Sequence, residues 1–337
     1  MLRSFAPALL WIAAAACAGC GGGSGGASTP KTAPSAAATA TATPSPGATA
    51  AASTPYTCPS APTSSGTLNC SSLPLGDLKY STLAALQNSV YLCSTPGGGG
   101  GPVVSSAPWL NTAAGTWHLT KKVAVQGAVA WPGAFSSTVS SDGTTRSVSS
   151  NGLPLSPYTT GTFPIASTDP AYAYDHNPNH IAAQSFSYTL PARPSPAASP
   201  SCLPAGGPIA ITTTGVAIYN AFDAAGYDGV AHEVQDSCHG HPDPTSTYHY
   251  HGFIQTCSGD TGSPLQNSSL VGYALDGFGI YGPWYNGKLL TSADLDVCHG
   301  TSSAVMWNGA LTTIYHYVST YDFPYTLGCY RGTPVRA

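Results

Sequence analysis

The fold class predicted by this sequence is all-β: a disulfide-stapled sandwich or barrel-like domain with little helix. Three observations predict it. Gly, Pro, Ser, Thr and Ala dominate and only 7% of the residues are charged, a mixture that disfavours long helices and suits short strands joined by turns. Ten cysteines occur, and eight remain once Cys17 and Cys20 are assigned to an export leader; an even number in an exported chain argues for disulfides. From Trp109 onward, short apolar or alternating runs recur between turn signals, the spacing of a β-sandwich or barrel.

Residues 1–20 read as a secretory signal, with Arg3 ahead of an apolar run over 5–16 that is too short to be a spanning helix. Ala18-Gly19-Cys20, followed by a Gly/Ser tract, resembles a bacterial lipoprotein processing site, although Cys17 stands where such sites carry leucine. Cys20 is the expected lipid anchor, the membrane the expected partner, and the periplasm or cell surface the expected location. Residues 21–55, almost wholly Gly, Ser, Thr, Ala and Pro, cannot bury enough apolar surface to fold and form a disordered tether. A small cysteine-bearing segment follows over 56–101. It is expected to hold one helix, 78–92, with Leu83, Leu86 and Val90 at helical spacing, and to end in the flexible glycine run 97–101. The main domain is expected over 102–337. Its strand signals lie at 117–119, 123–130, 136–141, 144–150, 184–190 and 209–219, and Asp142-Gly143 marks a hairpin turn.

The eight remaining cysteines are Cys58, Cys70, Cys93, Cys202, Cys238, Cys257, Cys298 and Cys329. No Cys-x-x-Cys pair speaks for a thiolate zinc site. Proximity favours local bridges Cys238–Cys257 and Cys298–Cys329, leaving Cys202 to tie down the N-terminal segment. Three cysteines precede the glycine run and five follow it, so at least one bridge crosses it if all are paired. The net charge of −4 and ten scattered Lys and Arg residues leave no nucleic-acid footprint.

Chemistry concentrates in one stretch. His232, His239, His241, His249 and His251, half of the ten histidines, lie within twenty residues, beside Glu233, the sole glutamate. The stretch has a second copy. Gly215-Val-Ala-Ile-Tyr219, Asp236-Ser-Cys238-His239-Gly240 and Tyr248-His249-Tyr250 recur as Gly277-Phe-Gly-Ile-Tyr281, Asp296-Val-Cys298-His299-Gly300 and Tyr315-His316-Tyr317. Two pseudo-symmetric β units, about 207–257 and 269–329, are inferred. The copies differ at one informative place: Val318 stands where the first has His251.

The run Tyr248-His249-Tyr250-His251, with Asp236-x-Cys238-x-Gly240-His241 before it and Gly272-Tyr-Ala-Leu-Asp276-Gly-Phe-Gly-Ile-Tyr-Gly282 after it, resembles the YHYH domain family. Further blocks agree in order from residues 146–154 and Gly161-Thr-Phe-Pro164 to Phe323-Pro-Tyr325 and Gly328-Cys329, so the resemblance covers roughly 110–335. It implies an extracytoplasmic domain and no particular reaction. Where the family carries Asn-His after Gly-Leu/Ile-Pro, this chain has Leu155-Ser156; if that histidine is a ligand, the site here is altered or borrows His176 or His180 instead.

In a strand, residues two apart share a face roughly 6.6 Å apart, so His249 and His251 point one way and Tyr248 and Tyr250 the other. Two imidazoles so placed can converge on one ion, with His239 or His241 as a third ligand and His316 approaching by pseudo-symmetry. Asp236 and Asp276 could support them from behind, although a turn-forming role suits Asp236 better. Imidazole-dominated ligation points to copper or zinc. Two alternatives stand beside a metal site: a metal-independent hydrolase using His249 and His316 as acid and base, and a non-catalytic surface module in which the histidines are structural. No Gly-x-Ser-x-Gly or His-Glu-x-x-His motif supports a standard hydrolase.

Overall fold

A computed structural model describes residues 56–98, 104–252 and 255–335. The signal peptide 1–20 with Cys20, the tether 21–55 and most of the glycine run lie outside the described residues. Strands β1 (Phe135–Val139), β2 (Thr145–Ser150) and β3 (Phe186–Pro191) make an antiparallel sheet with β2 in the middle. The β1–β2 hairpin is local chemistry. Asp142 Oδ1 accepts hydrogen bonds from Ser140 and Thr144, and Gly143 takes φ +69°, a left-handed conformation that costs glycine least.

Eight more strands build the main sheet: β4 (Ala210–Thr212), β5 (Ala217–Ile218), β6 (Gly240–Pro242), β7 (Tyr248–Tyr250), β8 (Leu270–Ala274), β9 (Gly279–Tyr281), β10 (Gly300–Trp307) and β11 (Ala310–Val318). Their order is β6-β7-β5-β4-β8-β9-β11-β10. The sheet is open, and no closed barrel forms among the described residues. Ala210, Ala217, Ala274, Phe278, Ile280 and Tyr317 in and beside its central strands are fully buried, and each large side chain among them stabilises the fold by about 1.5–3 kcal/mol.

Pairings on either side of the β4–β8 centre correspond. β5 pairs in parallel with β7 (Ala217 with His249, Ile218 with Tyr250), and β9 pairs in parallel with β11 (Ile280 with Tyr317, Tyr281 with Val318). β6 sets Gly240 against Tyr250 and His241 against His249, while β10 sets Gly300 against Tyr317 and Thr301 against His316.

Four disulfides are present: Cys58–Cys70, Cys93–Cys202, Cys238–Cys257 and Cys298–Cys329. Both expected local bridges form, and Cys202 reaches across the glycine run to Cys93. The N-terminal segment is woven into the rest: Leu73–Pro74 pairs with Thr116–Trp117, and the Tyr56 hydroxyl donates to the Asp236 carbonyl at 2.7 Å.

The helix expected over 78–92 does not form. Tyr80–Ser81 and Val90–Tyr91 pair as short parallel strands instead. Val90 and Leu92 are wholly buried, whereas Leu83 is 89% exposed. The backbone there bonds to distant partners, with Tyr91 N–H donating to Gly328 O and Cys93 N–H to Leu203 O. Those partners outcompete a local helix, and the leucine spacing was coincidental. Helix is otherwise limited to two four-residue α-turns and three 3-10 turns among the described residues, none long and apolar enough to cross a membrane.

Candidate metal centre

Three histidines converge. One ring nitrogen from each of His241, His249 and His251 lies within 4.8 Å of the other two. Strand β6 brings His241 opposite His249 on β7, and His251 follows two residues later on the same face. Their rings are mutually tilted, with His249 and His251 centroids 4.8 Å apart. On the opposite face Tyr248 and Tyr250 meet edge to face at 5.6 Å, as the two-residue period requires.

The backbone sets the tautomers. His249 Nδ1 is 3.0 Å from Thr247 O and His251 Nδ1 is 2.5 Å from Asn220 O. A carbonyl only accepts, so both Nδ1 atoms carry the proton and both Nε2 atoms carry lone pairs when the rings are neutral. Burial keeps them neutral. It holds His241, His249 and His251 each down to about 3; Lys122 reinforces this for His241, the His241 charge does so for His249, and Glu233 opposes it for His251.

His249 Nε2 and His251 Nε2 are 3.0 Å apart. Two facing lone pairs at that separation repel unless something positive lies between them. Two nitrogens bound to one ion at ~2.05 Å would be ~2.9 Å apart at a right angle and ~3.3 Å apart in a tetrahedron. The donor set therefore fits a transition metal.

Glu233 stands beside the three histidines, a neighbour that the histidine spacing does not predict. Its Oε2 lies 3.3 Å from His241 Nε2 and 3.2 Å from His251 Nε2, with no aligned hydrogen bond to either. Burial raises its carboxyl above the ordinary range, and the charges of His251 and Lys122 oppose that rise. A single helical turn places it. Asp228 caps Gly229–His232 by accepting from Ala231 N–H, and Glu233 is the next residue. A Cβ on Gly229 would sit 3.1 Å from Glu233 Oε2 and 3.2 Å from His251 Cγ, so glycine lets the turn close on the site. The clue in the sequence was composition: one glutamate in the whole chain, inside the histidine-rich stretch.

Supporting groups surround the four donors. Tyr219 stacks on His249 at 3.9 Å and donates its hydroxyl to Asp243 Oδ2 at 2.9 Å. Lys122, fully buried, donates to Val230 O and to Gln235 Oε1; burial pulls its amine down to about 7 against the pull of Glu233, Asp228 and Asp236.

Other predicted residues lie elsewhere. His239 is buried against Tyr56, 4.3 Å between ring centres, with neither ring nitrogen hydrogen-bonded. Asp236 organises its turn, accepting from Tyr248 Oη (2.7 Å) and from the N–H groups of Gly161, Cys238 and Gly240. Asp276 accepts from Tyr317 Oη and the Gly332 N–H. His176 stacks on Tyr172, and His176 and His180 are exposed, outside the cluster. His316 lines a separate cleft of about 470 Å³ with Tyr281, Trp284, Met306, Leu311 and Val318, so His249 and His316 do not face one cleft. The cleft over the three histidines measures about 400 Å³.

Fold and site together define a disulfide-stapled, mainly β protein with a buried cluster of three histidines able to chelate a metal ion, with the Glu233 carboxylate beside it. Residues 187–291 match the family model described as YHYH protein. The match spans the three histidines and Glu233 and ends before β10 and His316, a shorter reach than the motif resemblance. Comparisons with curated proteins and with solved structures gave no match.

Proposed function

We propose that this protein is an exported, lipid-anchored metalloprotein domain. In this reading His241, His249, His251 and Glu233 hold one transition-metal ion, copper or zinc. The observation that carries it is the 3.0 Å approach of two lone-pair nitrogens, His249 Nε2 and His251 Nε2, beside the unpartnered His241 Nε2 and Glu233 Oε2. Unpaired buried polar atoms are costly, and two of them beside a pair of facing lone pairs share a single remedy. Imidazole ligands favour copper and zinc over magnesium or calcium.

The corresponding strand orders and registers support a duplicated β unit in which only the first copy is armed. In the second copy Thr301 and Val318 occupy the positions of His241 and His251, leaving His316 alone. The leader 1–20, with Cys20 as anchor, and the tether 21–55 would hold the domain at a membrane, with residues 56–98 tied to it by Cys93–Cys202.

Elemental analysis of the purified, oxidised protein tests the metal reading. About one equivalent of copper or zinc is expected in the wild type, and almost none in the His249→Ala/His251→Ala variant. A metal-free wild type after exposure to both ions would sink it.

A further inference from the structure

The cleft above the histidines has a second set of polar groups that the metal reading leaves unused. Asp175 and Asp223 both line it, and each is only 5% exposed. Asp223 Oδ1 is committed to its own turn, accepting from the Ala225 and Tyr227 N–H groups at 2.8 Å each. Asp223 Oδ2 and Asp175 Oδ1 are shielded from solvent with no hydrogen-bond partner. Asp175 follows the 3-10 turn Pro170–Ala173, and its N–H is bound to Ala171 O, which holds the residue in place without satisfying that oxygen.

The lining is one-sided in charge. Asp175, Asp223, Glu233 and Asp243 contribute carboxylates, and no lysine or arginine is among the residues lining the cleft. Asp243 is already satisfied by Tyr219, Thr245 and Thr247. An anionic ligand would meet only like charge here. A buried carboxylate oxygen without a donor is costly to leave unmet, and the ligand that answers such oxygens is a cation bearing several N–H donors. Among the described residues the carboxylates do not close into a metal-holding cluster as the histidines do, and 400 Å³ suits a small organic molecule better than a single ion.

We infer that the cleft binds a small organic amine whose cationic N–H donors answer the free oxygens of Asp175 and Asp223. Burial and the neighbouring Glu233 charge push both carboxyls up to about 6, as expected of carboxylates that lack a cation to offset them. The inference does not need an ion at the histidines, so the two readings fail separately.

Isothermal titration of the EDTA-treated protein with 1,4-diaminobutane, 1,4-butanediol and succinate tests it; removing metal first ensures that the diamine does not report on metal chelation. Saturable binding of the diamine is expected, with the diol and succinate at least tenfold weaker. Asp175→Asn and Asp223→Asn should each weaken diamine binding at least tenfold, while Asp142→Asn, in the exposed hairpin turn, should not. Equal binding of diol and diamine, or no diamine binding at millimolar concentration, would overturn the inference. Full displacement of the diamine by equimolar calcium would also overturn it, by assigning the pair to an inorganic cation. Should the aspartate variants fail to fold, the three-ligand comparison on the wild type decides alone. Metal content of folded Asp175→Asn and Asp223→Asn should match wild type; if both lose metal, the residues belong to the metal site and the inference falls.

Discussion

Replacing His251 by alanine removes one of four proposed donors and provides the sharpest test of the centre. Structural zinc sites with four ligands have apparent binding free energies of about 10–16 kcal/mol, or roughly 2.5–4 kcal/mol per ligand. At about 1.4 kcal/mol per decade, loss of one imidazole should weaken binding by about 10²–10³-fold. The substitution also deletes the hydrogen bond from His251 Nδ1 to Asn220 O, leaving a buried carbonyl unpaired at a cost of about 1–3 kcal/mol to the fold. Competition against a chromophoric chelator, on oxidised protein with unchanged circular dichroism, measures the affinity. His316→Ala provides the control, because that ring lines the other cleft. An affinity for His251→Ala within threefold of wild type would refute the assignment of His251 as a ligand, and equal losses in both variants would show that the effect is not local.

Metal affinity should be nearly flat from pH 7.5 to 5.5, as measured by the same competition. The three rings are already deprotonated in the folded protein, with values near 3, so protons compete for the imidazoles only at more acidic pH, whereas unperturbed histidines would begin to compete below about 6.5. Gly240→Ala should destabilise the fold by about 1–3 kcal/mol, because its Cβ would lie 2.2 Å from the Tyr248 hydroxyl, the group that donates to Asp236. The urea midpoint reads this out, and Gly206→Ala, with no neighbour within 4 Å, should leave it unchanged.

Much of the site was legible in the chain because its information is local. The two-residue strand period puts His249 and His251 on one face whatever the rest of the molecule does, and it turns Tyr248 and Tyr250 the other way. Proximity in sequence favoured Cys238–Cys257 and Cys298–Cys329, and both formed. Pattern failed where partners are remote. The leucines over 78–92 imitate a helical stripe, yet that backbone is claimed by Gly328 and Leu203, which lie beyond the reach of any local rule. His239 and His241 stand two apart and looked interchangeable. A left-handed turn at His239, φ +56°, sends its ring against Tyr56, while His241 sits in β6 opposite His249.

By itself, the sequence determined a mainly β, disulfide-stapled chain, a histidine-rich stretch and an unequal pair of repeated sequence blocks, because composition, strand period and repeated blocks are properties of neighbours along the chain. Tertiary structure alone decided which histidines meet, that Glu233 lies beside them, that His316 opens onto another cleft, and that Asp175 and Asp223 share the first one. The reason is physical: a site of this kind is held by strand pairing and caps between residues far apart in sequence, and only folding brings their side chains within bonding distance.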